Sequence, residues 1–230
     1  MTITSLNAQV IRKFAAKQAV LNGLSRILES LNHPNAIARL LSDIFNPALV
    51  MVGLTIGVVS YGSSGYSGWV WLLWSLPVLS LPPIAYIGWL VRHGEAVDIH
   101  LPNRQTRLKP LIFTLVWMSV WVVLLSYFDM AEVLVSLLKG ALLQFTILSL
   151  ITLFWKISFH SATISTAIAI AIALDNVPSV WLIAITTLVF LIGWARIYLR
   201  RHTLAQVIAG GLVGGVVGYF IPHVFSLGVI

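Results

Sequence analysis

The apolar runs of this chain constrain its fold more than any other feature. Segments of roughly 17–25 mostly apolar residues match the ~30 Å hydrocarbon core of a bilayer, and several follow one another along these 230 residues. In lipid every backbone N–H and C=O bonds internally, so only helices and closed barrels span. Barrel strands alternate in polarity, whereas these runs are continuously apolar. The expected fold is all-α, a multi-pass transmembrane helix bundle of about six or seven spans. Composition agrees, at 59% hydrophobic and 9% charged residues, where a soluble domain carries roughly a quarter charged.

Spans are expected at 46–62, 68–91, 111–128, 133–154, 161–174, 178–198 and 203–222. The fifth is short for a full crossing and predicts a recessed helix. The seventh carries Gly210, Gly211, Gly214, Gly215 and Gly218. These overlapping small-xxx-small pairs predict close helix packing inside the protein ahead of dimerisation, and leave the oligomeric state open. Pro77, Pro82 and Pro83 predict a kink in the second span.

Residues 1–45 read as a segment apart from the transmembrane domain 46–230. Val10, Phe14, Leu21, Leu24, Leu28 and Leu31 share one helical stripe, with Arg12, Lys13 and Arg26 off it. That pattern describes a basic amphipathic helix lying in the membrane interface. His33-Pro34-Asn35 ends it, and a second amphipathic piece, Ala36 to Phe45, leads into the membrane. No apolar h-region follows the early charges, which argues against a signal peptide.

Alternating connectors place thirteen of the fourteen Lys and Arg residues on the N-terminal side, Lys139 being the exception. Asp129, Glu132 and Asp175 fall on the other side. The positive-inside rule then makes the N-terminus cytoplasmic and the C-terminus non-cytoplasmic, with a bacterial plasma membrane as the expected location. The net charge of +7 reads in part as this topology signal and in part as a clamp for phosphate. No basic face outside the membrane is large enough for nucleic acid. Zero cysteines exclude disulfides and thiolate chemistry.

Three connectors on the positive side are rich in donors: 98–110, 156–161 and 195–206. Arginine forks bind phosphate oxygens bidentately and lysine adds a point charge. Ser158 and His160 stand at the start of the fifth span, where N–H groups and the helix dipole favour an anion. One histidine can attack phosphorus while a second protonates the leaving oxygen. No span carries the acidic pair that would hold Mg²⁺, so neither metal nor cofactor is implied. The plainer alternative is that these cations anchor the protein to anionic membrane lipids. His33, His93, His100 and His223 read as loop or interface residues, and Trp69, Trp71, Trp89 and Trp194 as interface anchors.

The second and third connectors resemble two motifs of the type 2 phosphatidate phosphatase superfamily, which includes bacterial acid phosphatases and vanadium haloperoxidases. The family's Ser-Gly-His stands here as Ser158-Phe159-His160. Its Ser-Arg, five residues, His, three residues, Asp stands as Ala195-Arg196, five residues, His202, three residues, Gln206. The family's first motif, Lys, six residues, Arg-Pro, has no literal match. Arg104 and Arg107 occupy the equivalent loop, with Lys109 a weaker stand-in.

The resemblance implies a metal-independent lipid phosphate phosphatase acting on a phosphatidate-like or isoprenyl phosphate through a phosphohistidine. His202 would be the nucleophile and His160 the general acid. Arg104, Arg107, Lys156, Ser158 and Arg196 would bind the phosphoryl oxygens. Gln206 shares a helical face with His202 and its amide oxygen can fix the tautomer, without the negative charge of the family's aspartate. Asp98 is a possible replacement charge, though a salt bridge to Arg104 or Arg107 is its plainer use. Phe159 adds bulk where the family has glycine. These departures keep open an inactive relative that binds lipid phosphate or serves as a scaffold. A phosphotransferase is a further alternative, while the lack of midplane charge argues against a transporter.

Overall fold

Every secondary-structure element among the described residues is an α-helix, as backbone satisfaction in lipid requires. The computed structural model describes residues 34–61, 65–96, 104–128, 132–174 and 177–225. The expected interfacial helix before residue 34, together with Asp98 and His100, lies outside them. The helices are α1 (Pro34–Ile44), α2 (Pro47–Tyr61), α3 (Gly65–Arg92), α4 (Arg104–Tyr127), α5 (Glu132–Phe154), α6 (Phe159–Ala173), α7 (Ser179–Tyr198) and α8 (Leu204–Phe225).

Helices α2 to α8 fall on the seven expected spans. Four segments are long and apolar enough to cross a membrane alone: Leu108–Tyr127, Glu132–Phe154, Ser179–Tyr198 and Leu204–Val224. Pro34–Ile44 and Pro47–Ser60 form a pair bent by 53°, which adds a fifth if taken as one span. Val116, Val123, Ile183, Phe190, Leu212 and Val216 point outward from α4, α7 and α8, giving the bundle an apolar surface suited to lipid. Helix α3 contains Pro77, Pro82 and Pro83.

The 15 residues of α6 span about 22 Å at 1.5 Å per residue, too little for the hydrocarbon core. Its small and polar side chains are buried from Ser161 to Ala167, and again at Ile170 and Ala171. It therefore sits at the centre of the bundle and ends inside it.

What allows that burial is the glycine stripe of α8. A Cβ on Gly210 would meet the Ser158 carbonyl oxygen at 2.4 Å, on Gly214 the Ala162 oxygen at 1.9 Å, and on Gly218 the Thr166 oxygen at 2.7 Å. Both partners advance by four residues per step and in the same direction, so α6 and α8 run parallel and in register. Thr166 Oγ1 lies 2.9 Å from both the Ala162 and the Gly214 carbonyl oxygens, which share its proton. The glycines thus pack within the protein, as small-xxx-small pairs often do.

Gly214→Ala places a methyl group inside a backbone carbonyl and is expected to abolish the folded species in detergent. Gly215→Ala meets nothing within 4 Å and should leave it intact. Size-exclusion profiles and thermal unfolding of the two variants check this. Equal stability would mean that the α6–α8 register is wrong.

Candidate functional site

Parallel packing sets the starts of α6 and α8 side by side, and the Ser158 N–H donates to the Gln206 carbonyl at 3.3 Å. Ser158 is fully buried and caps α6, its hydroxyl accepting from the Ser161 N–H at 3.3 Å and lying 2.9 Å from Ser161 Oγ. Such a cap contributes about 1 kcal/mol. Phe159 turns its ring edge-on to Phe145, 5.8 Å between centroids, and joins the core with Leu148 and Val213. Its bulk goes into the bundle interior.

The five-residue gap between Arg196 and His202 is a helix ending. Arg201 N–H donates to the Arg196 carbonyl at 3.0 Å and Arg200 N–H to Ile197 at 2.8 Å, the paired bonds of a Schellman turn. Arg200 takes the left-handed position, φ 52°, where glycine is usual. The turn reverses the chain, and the His202 N–H bonds back to the same Arg196 carbonyl at 3.2 Å. The spacing therefore brings the imidazole back to the helix end that carries the arginine.

Residue 206 then defines the chemistry of residue 202. Gln206 Oε1 accepts from the Thr203 N–H at 3.2 Å, and the Gln206 N–H donates to Thr203 Oγ1 at 3.4 Å. This is a reciprocal capping box at the start of α8. A backbone N–H can only donate, so the side-chain atom it meets is the amide oxygen. That oxygen also lies 3.2 Å from His202 Nδ1, so Nδ1 carries the hydrogen and Nε2 keeps its lone pair. The sequence carries the signal for this box as Thr203-Leu204-Ala205-Gln206.

A cleft of about 410 Å³ opens beside this pair, lined by Lys156, Ile197, Arg200, Arg201, His202, Thr203 and Gln206. Burial, then Arg196, Lys156 and Arg107, push the His202 pKa down to about 3, against the upward pull of the Gln206 hydrogen bond. Lys156 is also held below the usual lysine range, by burial first and then by Arg107, Arg196 and Arg201. The site is thus a set of cations that repel one another and are partly removed from water, which is favourable only for an anion. Among the described residues no three His, Asp or Glu side chains gather where they could hold a metal ion.

Of the three stand-ins for the first motif, Arg107 lies half-buried and acts on His202 and Lys156. Lys109 pairs with Glu95 at the surface. Arg104 begins α4; its side chain lies outside the described residues. Arg196 and His160 meet at a residue that sequence reasoning missed. Arg196 Nη1 donates to Ser42 Oγ at 2.6 Å, and His160 Nε2 lies 3.1 Å from the Ser42 carbonyl oxygen. Asp43, beside it, is the carboxylate that acts on Arg196. No motif or period in the sequence announces either residue. His93 and His223 bond to the Trp89 and Tyr219 carbonyls of their own helices.

A family model described as the PAP2 superfamily matches residues 106–228, more than half of the chain. The match includes most of α4, all of α5 to α8 and every site residue named above except Ser42, Asp43 and Arg104. Neither the curated proteins nor the solved structures yield a match to this chain.

An unfolded histidine takes up a proton near pH 6.5, whereas His202 resists until about 3. The unfolded chain therefore binds more protons between these values, so this residue favours the fold as pH rises through the window and opposes it on acidification. His202 ring ¹⁵N shifts are expected to stay those of the neutral Nδ1–H tautomer between about pH 5 and 8. Arg196→Ala should move the transition upward. Ordinary titration near 6.5 in the intact protein would contradict the environment described.

Proposed function

The chain belongs to the PAP2 superfamily, a family of phosphatases and related phosphoesterases, and we propose that this membrane protein is a lipid phosphatase acting through a phosphohistidine. The observation that carries this reading is His202 held as a neutral imidazole, Nδ1–H to Gln206, inside a cleft of cations. Candidate substrates are phosphatidate-like lipids and isoprenyl mono- or diphosphates. Their tails remain in the bilayer against the apolar outer faces of the bundle, while the headgroup enters the cleft from the cytoplasmic side.

In the first step the Nε2 lone pair of His202 attacks phosphorus. The bond from phosphorus to the lipid oxygen breaks, and its electron pair leaves with that oxygen, which takes a proton from His160. In the second step water attacks the phosphoryl group, the P–N bond breaks, and His160 takes the proton from water. Arg104, Arg107, Lys156 and Arg196 neutralise the phosphoryl oxygens as charge shifts toward the leaving group. Ser158 contributes by capping α6 so that the helix start faces the phosphate. Gln206 holds the tautomer of His202 without adding charge. In a Ser-His-Asp triad the loss of the carboxylate costs about 10⁴ in rate, so a slow enzyme is the expectation.

Purified protein is expected to release phosphate from phosphatidate or from an isoprenyl diphosphate in the presence of chelator. His202→Ala should abolish release, and His160→Ala should lower it by about 10²–10⁴-fold. Gln206→Asp should raise the rate by supplying the missing charge. Release that survives His202→Ala would remove the nucleophile from this scheme. An inactive wild-type protein that still binds phosphate would favour the binding or scaffold reading instead. A reporter fused at the C-terminus should read as non-cytoplasmic.

A further inference from the structure

Helix α1 lies outside the matched family region, yet it packs on α7 and meets two of the site's side chains. Its exposed positions include Ile37, Leu40 and Ile44, while Ala38 and Ser42, four apart, form its buried face. A buried hydroxyl is unfavourable unless it is bonded. Ser42 is 3% exposed, and its Oγ accepts a short bond from the charged donor Arg196 Nη1, at 2.6 Å.

The main chain of Ser42 adds a second contact. It lies in the last turn of α1, where carbonyls lack an intrahelical partner, and its oxygen lies 3.1 Å from His160 Nε2. A carbonyl only accepts, so Nε2 carries the hydrogen in this contact. One residue of α1 thus touches a side chain of α6 and a side chain of α7, distant in sequence by 118 and 154 residues.

The geometry at Arg196 has a consequence for anion binding. A guanidinium offers two parallel N–H groups along its Nε–Nη2 edge, the fork that fits two phosphate oxygens. Ser42 engages Nη1, on the other side. Nε is buried and has no partner among the described residues. The fork edge thus holds a donor without a partner, while Nη1 is held by Ser42.

We propose that Ser42 is a positioning residue of the phosphate site: its hydroxyl fixes the rotation of the Arg196 guanidinium so that the Nε–Nη2 edge receives the phosphoryl oxygens, and its carbonyl sets the ring of His160. The proposal rests on the phosphatase reading for its substrate, though not for its anion. Helix α1 is accordingly part of the site, and its seating on α7 decides how well the clamp is formed.

The test uses the full chain in detergent, with orthovanadate binding and steady-state phosphatidate hydrolysis as the two readouts. Ser42→Ala is expected to weaken orthovanadate binding and raise KM by about tenfold, with a smaller change in kcat, at unchanged thermal stability. Ser42→Thr, which keeps the hydroxyl, should recover most of that loss. In an Arg196→Ala background Ser42→Ala should add little, because the two act as one unit. If Ser42→Ala does not fold, Ser42→Cys, with similar volume and a weaker hydrogen bond, takes its place.

Wild-type affinity and KM in Ser42→Ala would overturn the proposal, and so would an undiminished Ser42→Ala effect in the Arg196→Ala background. A wild-type protein that binds orthovanadate but hydrolyses nothing would sink the phosphatase reading alone. The tenfold binding loss in Ser42→Ala would then still support the positioning role. A wild-type protein that does neither would remove the anion clamp and the role of Ser42 with it.

Discussion

The site depends on one contact, the bare backbone of α8 against the carbonyls of α6. Lipid offers no hydrophobic drive between helices, so close van der Waals approach and interhelical hydrogen bonds carry the association. Gly210, Gly214 and Gly218 permit an approach that any side chain would block, and Thr166 bonds across it. The parallel register that results aligns Ser158 with Gln206. His160 and His202 reach one end of the bundle because their helices begin at the same level. A shift by one helical turn, about 5.4 Å, would separate the two motifs although each remained locally intact.

Local chain geometry completes what the register begins. The Schellman ending of α7 and the capping box of α8 share the short segment from Arg196 to Gln206, and together they account for both motif spacings. Five residues are what the turn needs to return the chain to its own helix end. Three more bring a side chain back to the cap and, through the same oxygen, to the imidazole. Gln206 thus closes a helix and selects a tautomer with one atom. An apolar residue there would lose both.

Much of this was legible in the sequence because it is local or periodic. Continuous apolarity located helices α2 to α8, and the four-residue glycine repeat located the tight packing. Arg196, His202 and Gln206 followed from the resemblance to the family's third motif, whose spacing they keep. What was not legible depends on contacts between segments far apart in the chain. Ser42 meets Arg196 and His160 only after α1 folds back on α7, and no pattern within Pro34–Ile44 marks one serine as different. The same reason separates Arg107 from Lys109: both lie at the start of α4, and only the tertiary fold turns one toward His202 and the other toward Glu95. Phe159 is the reverse case, since its bulk matters less once Phe145 receives it.

The neutral residue at 206 then has a physical account that motif comparison does not give. A carboxylate about 4 Å from the imidazole would stabilise a positive ring by about 4 kcal/mol at an effective dielectric of 20. It would also offset one of the cations that make the cleft attractive to an anion. With Arg107, Lys156, Arg196 and Arg201 crowded together, and Asp43 acting on Arg196, the present site keeps most of its positive potential for the ligand. Gln206 retains the tautomer and gives up stabilisation of the charged intermediate. Under the proposed reading this exchange favours a tight hold on phosphate over fast turnover, and it is made by the same side chain that caps the start of α8.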